Sequence, residues 1–240
     1  MRYLLTIKYD GSKYNGFQRL KNNDSVQKKI EEVLSVILKD DIKIKGAGRT
    51  DSGVHALGQR AHFDAELKME TDKLIYVMNN MLKPYIIIDS IEVVKNDFHA
   101  RHDVKEKKYS YKINIGEYDP LSADYLLQPI YKINIKLLKR ACKLFVGHHN
   151  FKNFVSGERK DYESIINKVK VNSMFGLISI DFYGQGFYRY MVRSMVGAAL
   201  EVAKGNISLI ELKEMLDKPE VNKTLPIAPA CGLYLEKIWY

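Results

Sequence analysis

In the stretch KIKGAGRTDSGVHALGQ, residues 43–59, an arginine (Arg49), a threonine (Thr50), a carboxylate (Asp51) and a histidine (His55) stand among four glycines. An aspartate with a reference pKa of about 3.9 is ionised at neutral pH and can serve as nucleophile or base. Burial against a stacked base raises that value, by up to ~3–5 units at full burial, and an arginine within ~4–6 Å lowers it by about 1–3. Asp-Ser-Gly is also common turn punctuation, because the aspartate bonds its own backbone; that reading leaves Arg49 and His55 unexplained. Glycine admits φ > 0 and close approach at an entropic cost, which suits a loop that binds something. Gly46 and Gly48 open the dinucleotide fingerprint G-x-G-x-x-G, but the third glycine position is Asp51, and no Gly-Lys-Ser/Thr follows. The loop presents a carboxylate instead of cradling a phosphate.

A second charged group stands in GFYRYMVRSMVG, where Met191, Val192, Met195 and Val196 mark a buried helical face around Arg193. Arginine cannot shed its proton, so in such a setting it calls for a carboxylate partner; the alternative is a snorkelling surface side chain. Gly197, one turn on, leaves room for close approach and favours the buried role. In KKYSYKI, Tyr109 and Tyr111 share one side of a strand: one reads as core, the other as a stacking platform. Asp51, His55, His62 and Asp64 match no familiar zinc spacing, so no metal site is expected. The pairs His99/His102 and His148/His149 read as surface or hydrogen-bonding histidines, and no nucleophile elbow supports a Ser–His–Asp site.

These groups need elements to hold them. RYLLTIKYDG alternates as a first strand, and DSVQKKIEEVLSVILKDD carries Val26, Ile30, Val33, Leu34, Ile37 and Leu38 on one helical face, with Asp24 and Gln27 as its capping start. IKIKGAG predicts a strand running into the glycine loop and AHFDAEL one leaving it. TDKLIYVMNNMLK predicts a helix stopped by Pro84, YIIIDSIEVV a buried strand and KEKKYSYKINI an alternating one. Composition turns loop-like at GEYDPLSAD, which places a junction between residues 1–117 and 118–240. The second half reads as a helix at IKLLKRACKLFVG, a strand pair around INKVKVNSMFGLISIDFYG, helices at YRYMVRSMVGAALEVAKG and SLIELKEMLDK, and a last strand at GLYLEKIWY. This succession is α+β: two α/β halves with a cleft between their sheets.

A net charge of +9 and sixteen tyrosines suit a polyanion with unstacked bases. No apolar run approaches a membrane span, MRYLLTIKYDG lacks the features of a signal peptide, and Cys142 and Cys231 form no zinc pattern. The expectation is a cytoplasmic protein with buried, reduced thiols.

Together YDGSKYNGFQR, GAGRTDSGVHALGQ, FHAR, KKYSY, GFYRYMVRSMVG and APACGLYLEKIWY resemble, in order, the motifs of the tRNA pseudouridine synthase A family. The resemblance implies two ferredoxin-like halves packed around a central basic cleft, and isomerisation of uridine to pseudouridine in the anticodon arm of tRNA. It implies Asp51 as the catalytic residue, Arg193 as its partner and Tyr109 as the stacking tyrosine. Arg49 would help extrude the nucleotide, and Thr50, His55, Gln18 and Arg101 lie in motifs that face the RNA. It implies a homodimer on one tRNA, and no cofactor, because bond cleavage and re-formation balance. Phe17 stands where the family has tryptophan, Leu20 where a polar residue is frequent, Ser110 for an arginine and His102 for an aromatic; these departures bear on substrate choice. Two other functions remain open on the residues: a catalytically silent tRNA-binding or RNA-chaperone protein, and a metal-assisted phosphoesterase using Asp51 and histidines.

Overall fold

Arg2–Tyr9 forms the first strand, β1, in the computed structural model, which describes residues 1–20, 24–218 and 225–240. β1 lies inside its sheet, and Tyr3, Leu4, Leu5, Ile7 and Tyr9 are all buried. It pairs antiparallel with β3 (His55–Asp64) on one side and β4 (Ile86–Val94) on the other. The other edge of β3 is shared. β2 (Lys45–Gly46) pairs with Ala61 and His62, while β9 (Leu233–Trp239) runs parallel beside His55 and Ala56. These ladders differ from the sequence reading in two places. The strand expected over IKIKGAG shrinks to two residues, and the strand expected from Ala61 begins at His55.

Helix α1 (Val26–Leu38) buries Val26, Ile30, Val33 and Leu34, as its spacing predicts. Its cap is Ser25, whose hydroxyl accepts from the Lys28 amide (3.3 Å), not Asp24. Gln27 has other work: its Oε1 accepts from Arg19 N and its Nε2 donates to Ile44 O. Beside it the buried Glu31 pairs with Arg19 and accepts from Ile44 N (3.0 Å), so α1 ties the segment entering the glycine loop to the Arg19 segment. Helix α2 (Thr71–Leu82) ends before Pro84. The order β4-β1-β3-β2 with α1 and α2 is the ferredoxin-like arrangement.

The chain divides into two units, Met1–Lys105 with Tyr234–Tyr240, and Glu106–Leu233. In the second, β5 (Glu106–Asn114), β8 (Leu177–Gly184), β7 (Glu163–Met174) and β6 (Gly147–Asn150) lie antiparallel in that order. Helices α3 (Ile135–Leu144), α4 (Met191–Lys204) and α5 (Leu209–Asp217) accompany them. The division falls ahead of the junction read near residue 117, because β5 pairs with β8 along its length. The loop-like stretch after it folds back, Leu127 bridging to Ile113. The architecture is mixed α+β, and among the described residues no helix is long and apolar enough to cross a membrane.

Candidate active site

The glycine loop is held from beneath by buried side chains. The hydroxyls of Tyr9 and Thr50 lie 2.8 Å apart, and Thr50 O accepts from Phe17 N. Gln59, wholly buried on β3, donates its Nε2 to Gly48 O at 3.0 Å. Each such bond contributes about 1 kcal/mol, and leaving one partner unsatisfied costs about 1–3. Burial pushes the Tyr9 phenol well above its ordinary value, against its hydrogen bonds to Thr50 and Gln59, so it stays protonated. Neither Tyr9 nor Gln59 was singled out by the sequence; the signal is a polar tip on a strand position that periodicity buries.

On this support Asp51 stands half-buried at the start of a turn closed by Val54 N donating to Asp51 O, with Gly53 at φ +80°. Arg49 is exposed. His55 is 2% exposed: its Nδ1 accepts from Gly11 N (3.1 Å), and its ring stacks on Tyr234 at 4.8 Å. It therefore fixes the loop from below instead of facing solvent. At Gly46 a Cβ would lie 2.3 Å from the Phe17 ring. The close approach this glycine permits is by the protein's own phenyl group.

Three of the expected RNA-facing residues converge. Gln18, Arg49 and Arg101 line one pocket of about 290 Å³, together with Lys45, His99 and His102, which sequence reasoning had not assigned to a site. Strand alternation around Lys45 could have pointed to it; the two histidines could be placed only by folding. Asp51 is not among the lining residues.

In the second unit Tyr111 is fully buried and donates its hydroxyl to Pro229 O at 2.8 Å. It is the packing tyrosine of the pair. Tyr109 keeps 7% of its surface exposed and lies edge-on to Phe187, with centroids 5.1 Å apart. Arg193 is half-buried on the first turn of α4. Its Nε donates to Ala228 O (2.7 Å), its carbonyl accepts from Ala228 N (3.1 Å), and its guanidinium carbon lies 5.2 Å from the Tyr190 ring centre. A Cβ on Gly197 would meet Pro226 O at 1.9 Å, so the room left there admits the segment that grips Arg193.

Among the described residues no group of three or more His, Cys, Asp or Glu side chains is arranged to hold a metal ion. Asp64 is engaged by Arg2 through two bonds of 2.7 Å. Cys142 is buried, which pushes its thiol up to about 12, and burial also raises half-buried Cys231. His62 is 1% exposed and accepts from Ala100 N at 3.1 Å. Burial first, then Arg2, His99 and Lys45, lowers its pKa to about 4. The unfolded chain takes a proton there near pH 6.5 and the folded chain does not, so stability is lost as pH falls from about 6.5 towards 4. Urea unfolding of wild type beside His62→Gln is expected to show about 2 kcal/mol of extra wild-type loss between pH 7 and pH 5; parallel pH profiles would contradict it.

The family model described as tRNA pseudouridine synthase matches residues 5–103 and 141–240. The chain belongs to the tRNA pseudouridine synthase family. It is 38% identical to tRNA pseudouridine synthase A 2 of a Bacillus cereus strain, over 98% of each chain. It is 34% identical to tRNA pseudouridine synthase A of Mycoplasma genitalium, over 100% of this chain and 98% of that one. The corresponding protein of Thermodesulfovibrio yellowstonii is 38% identical over 98% of each chain. As a member of this family the chain is an enzyme that converts uridine to pseudouridine.

Proposed function

We propose that this enzyme acts on tRNA, at uridines of the anticodon arm around positions 38–40, with Asp51 as its catalytic carboxylate. The observation that carries the reading is the setting of Asp51. Its loop is anchored through buried Tyr9, Gln59 and His55, while the residue itself stays half-exposed at the turn. A rigid support with an accessible carboxylate is what repeated bond cleavage and re-formation at one nucleotide require. By the family resemblance Arg193 partners the carboxylate, Tyr109 stacks on the base, and Arg49 with Gln18 and Arg101 engages the RNA. Thr50 and His55 act through the loop they hold. Extrusion of the nucleotide costs a few kcal/mol of lost stacking, which these contacts offset. The reaction conserves atoms and electrons, so no cofactor enters it, and a cytoplasmic homodimer on one tRNA completes the reading.

The test is pseudouridine mapping on unmodified tRNA transcripts incubated with the purified chain. Pseudouridine is expected in the anticodon arm, with and without EDTA. Tight binding with no pseudouridine across a broad tRNA panel would make the protein a silent binder, and loss of activity with the chelator would favour metal-assisted chemistry.

A further inference from the structure

Among the described residues three other than glycine have positive φ, and two of them have ordinary reasons. Lys39 (φ +56°) closes the C-terminus of α1, where the left-handed conformation is common. Phe175 (φ +50°) precedes Gly176 (φ +76°) in the two-residue hairpin between β7 and β8, whose favoured turn takes positive values at both positions. Tyr190 (φ +62°) stands instead at the start of α4. That position is ordinarily extended and filled by a serine, threonine, aspartate or asparagine that caps the helix; the Tyr190 side chain caps nothing. A bulky L-residue in the left-handed region is strained, and it persists only where its neighbours hold it.

The neighbours of Tyr190 do so. The Tyr188 hydroxyl donates to Glu163 O on β7 (2.6 Å), Arg189 O accepts from Ser156 N (3.3 Å), and Met191 N donates to Tyr188 O (3.1 Å). The left-handed backbone sets the direction of the Cα–Cβ bond relative to the helix that follows, and so delivers the half-buried ring to Arg193. The Arg193 guanidinium carbon lies 5.2 Å from the ring centre. That of exposed Arg189 lies at 4.9 Å, with its Nη2 3.3 Å from the Tyr190 hydroxyl. The bond from Arg193 Nε to Ala228 O fixes one edge of the fork and leaves the plane free to swing about it. An aromatic ring within about 6 Å attracts the guanidinium and removes that freedom.

We propose that Tyr190 is a positioning residue for the reaction: its ring, delivered by a left-handed backbone, fixes the plane of the Arg193 guanidinium. The catalytic part rests on the function proposed above, in which Arg193 partners Asp51; the ring contact and the backbone conformation stand without it.

The test compares the full-length wild type with Tyr190→Phe, which keeps the ring, Tyr190→Leu, which keeps bulk without a ring, and Tyr190→Gly, which loses the ring but accepts the backbone. Single-turnover pseudouridine formation is expected to fall about ten- to hundredfold in Tyr190→Leu and Tyr190→Gly, and to stay within about threefold of wild type in Tyr190→Phe. Affinity for tRNA should change less than about threefold throughout, because the loss is one of orientation. Tyr190→Gly is expected to melt above Tyr190→Leu, since glycine adopts this φ without strain, so that rate does not follow stability. Rates that follow melting temperature, or a wild-type rate in Tyr190→Leu, would overturn the proposal; if Tyr190→Leu fails to fold, Tyr190→Gly decides. Arginine side-chain 15N relaxation supplies a readout that needs no turnover. The Arg193 Nε–H is expected to gain motion in both ringless variants while that of Arg2, held by Asp64, stays as in wild type; unchanged Arg193 order would overturn the proposal as well. Absence of pseudouridine from wild type, with Arg193 loosened in the variants, sinks the isomerase reading alone and leaves Tyr190 as the residue that fixes Arg193. Pseudouridine formation by wild type, with rates and Arg193 order unmoved in the variants, sinks this proposal alone.

Discussion

Asp51→Asn is expected to lower pseudouridine formation by about ten-thousandfold while changing tRNA affinity less than about threefold. The amide has the carboxylate's shape, and Val54 N donates to the Asp51 backbone carbonyl, which the substitution keeps. The anchors at Tyr9, Gln59 and His55 reach Thr50 Oγ1, Gly48 O and Gly11 N, so the loop keeps its form. What goes is an ionised oxygen able to attack the ribose, attack the base, or remove a proton from the sugar; an amide does none of these. Single-turnover rates measured beside equilibrium binding separate the outcomes. Residual turnover above about a hundredth of wild type would assign the chemistry to another group. A parallel loss of affinity would make Asp51 a binding residue.

Arg193→Lys is expected to lower kcat by about 100- to 1,000-fold, the range for losing one preorganised charged donor. Charge is retained, but the fork is not. In wild type Nε is committed to Ala228 O at 2.7 Å, which orients the guanidinium plane; a lysine ammonium on a flexible stem cannot make that bond and keep the plane. The lost charge-assisted bond also lowers stability, by roughly 1.5–3 kcal/mol. The discriminating readout is the split between the two effects. A lower melting temperature with wild-type kcat would leave Arg193 a structural arginine gripping the 226–228 segment. Low kcat with a folded variant supports its place in the reaction.

Much of the fold was legible because it is local. The helical face of α1, the stop of α2 before Pro84, and the buried Met191, Val192, Met195 and Val196 of α4 follow from side-chain period and breakers within one segment. The misreadings are non-local. β2 is reduced to two residues beside Ala61 and His62, and β9, from the far end of the chain, takes the start of the same β3 edge at His55 and Ala56. The boundary between units moves because β5 answers to β8, and β6 forms only because β7 offers it an edge. Strand pairing is decided by edges, and no window of sequence contains both.

The site divides the same way. By itself the sequence determined the family, the presence of an ionisable carboxylate between arginine and glycine, and the excess of positive charge, because residue identity and order carry them. Tertiary structure alone decided which polar residues reach solvent and which hold the loop. His55 went beneath it, Tyr111 into the core, and Gln18, Lys45, Arg49, His99, Arg101 and His102 to one pocket. The reason is physical: burial and electrostatic surroundings are properties of packed neighbours, and packing brings together residues that the chain keeps apart.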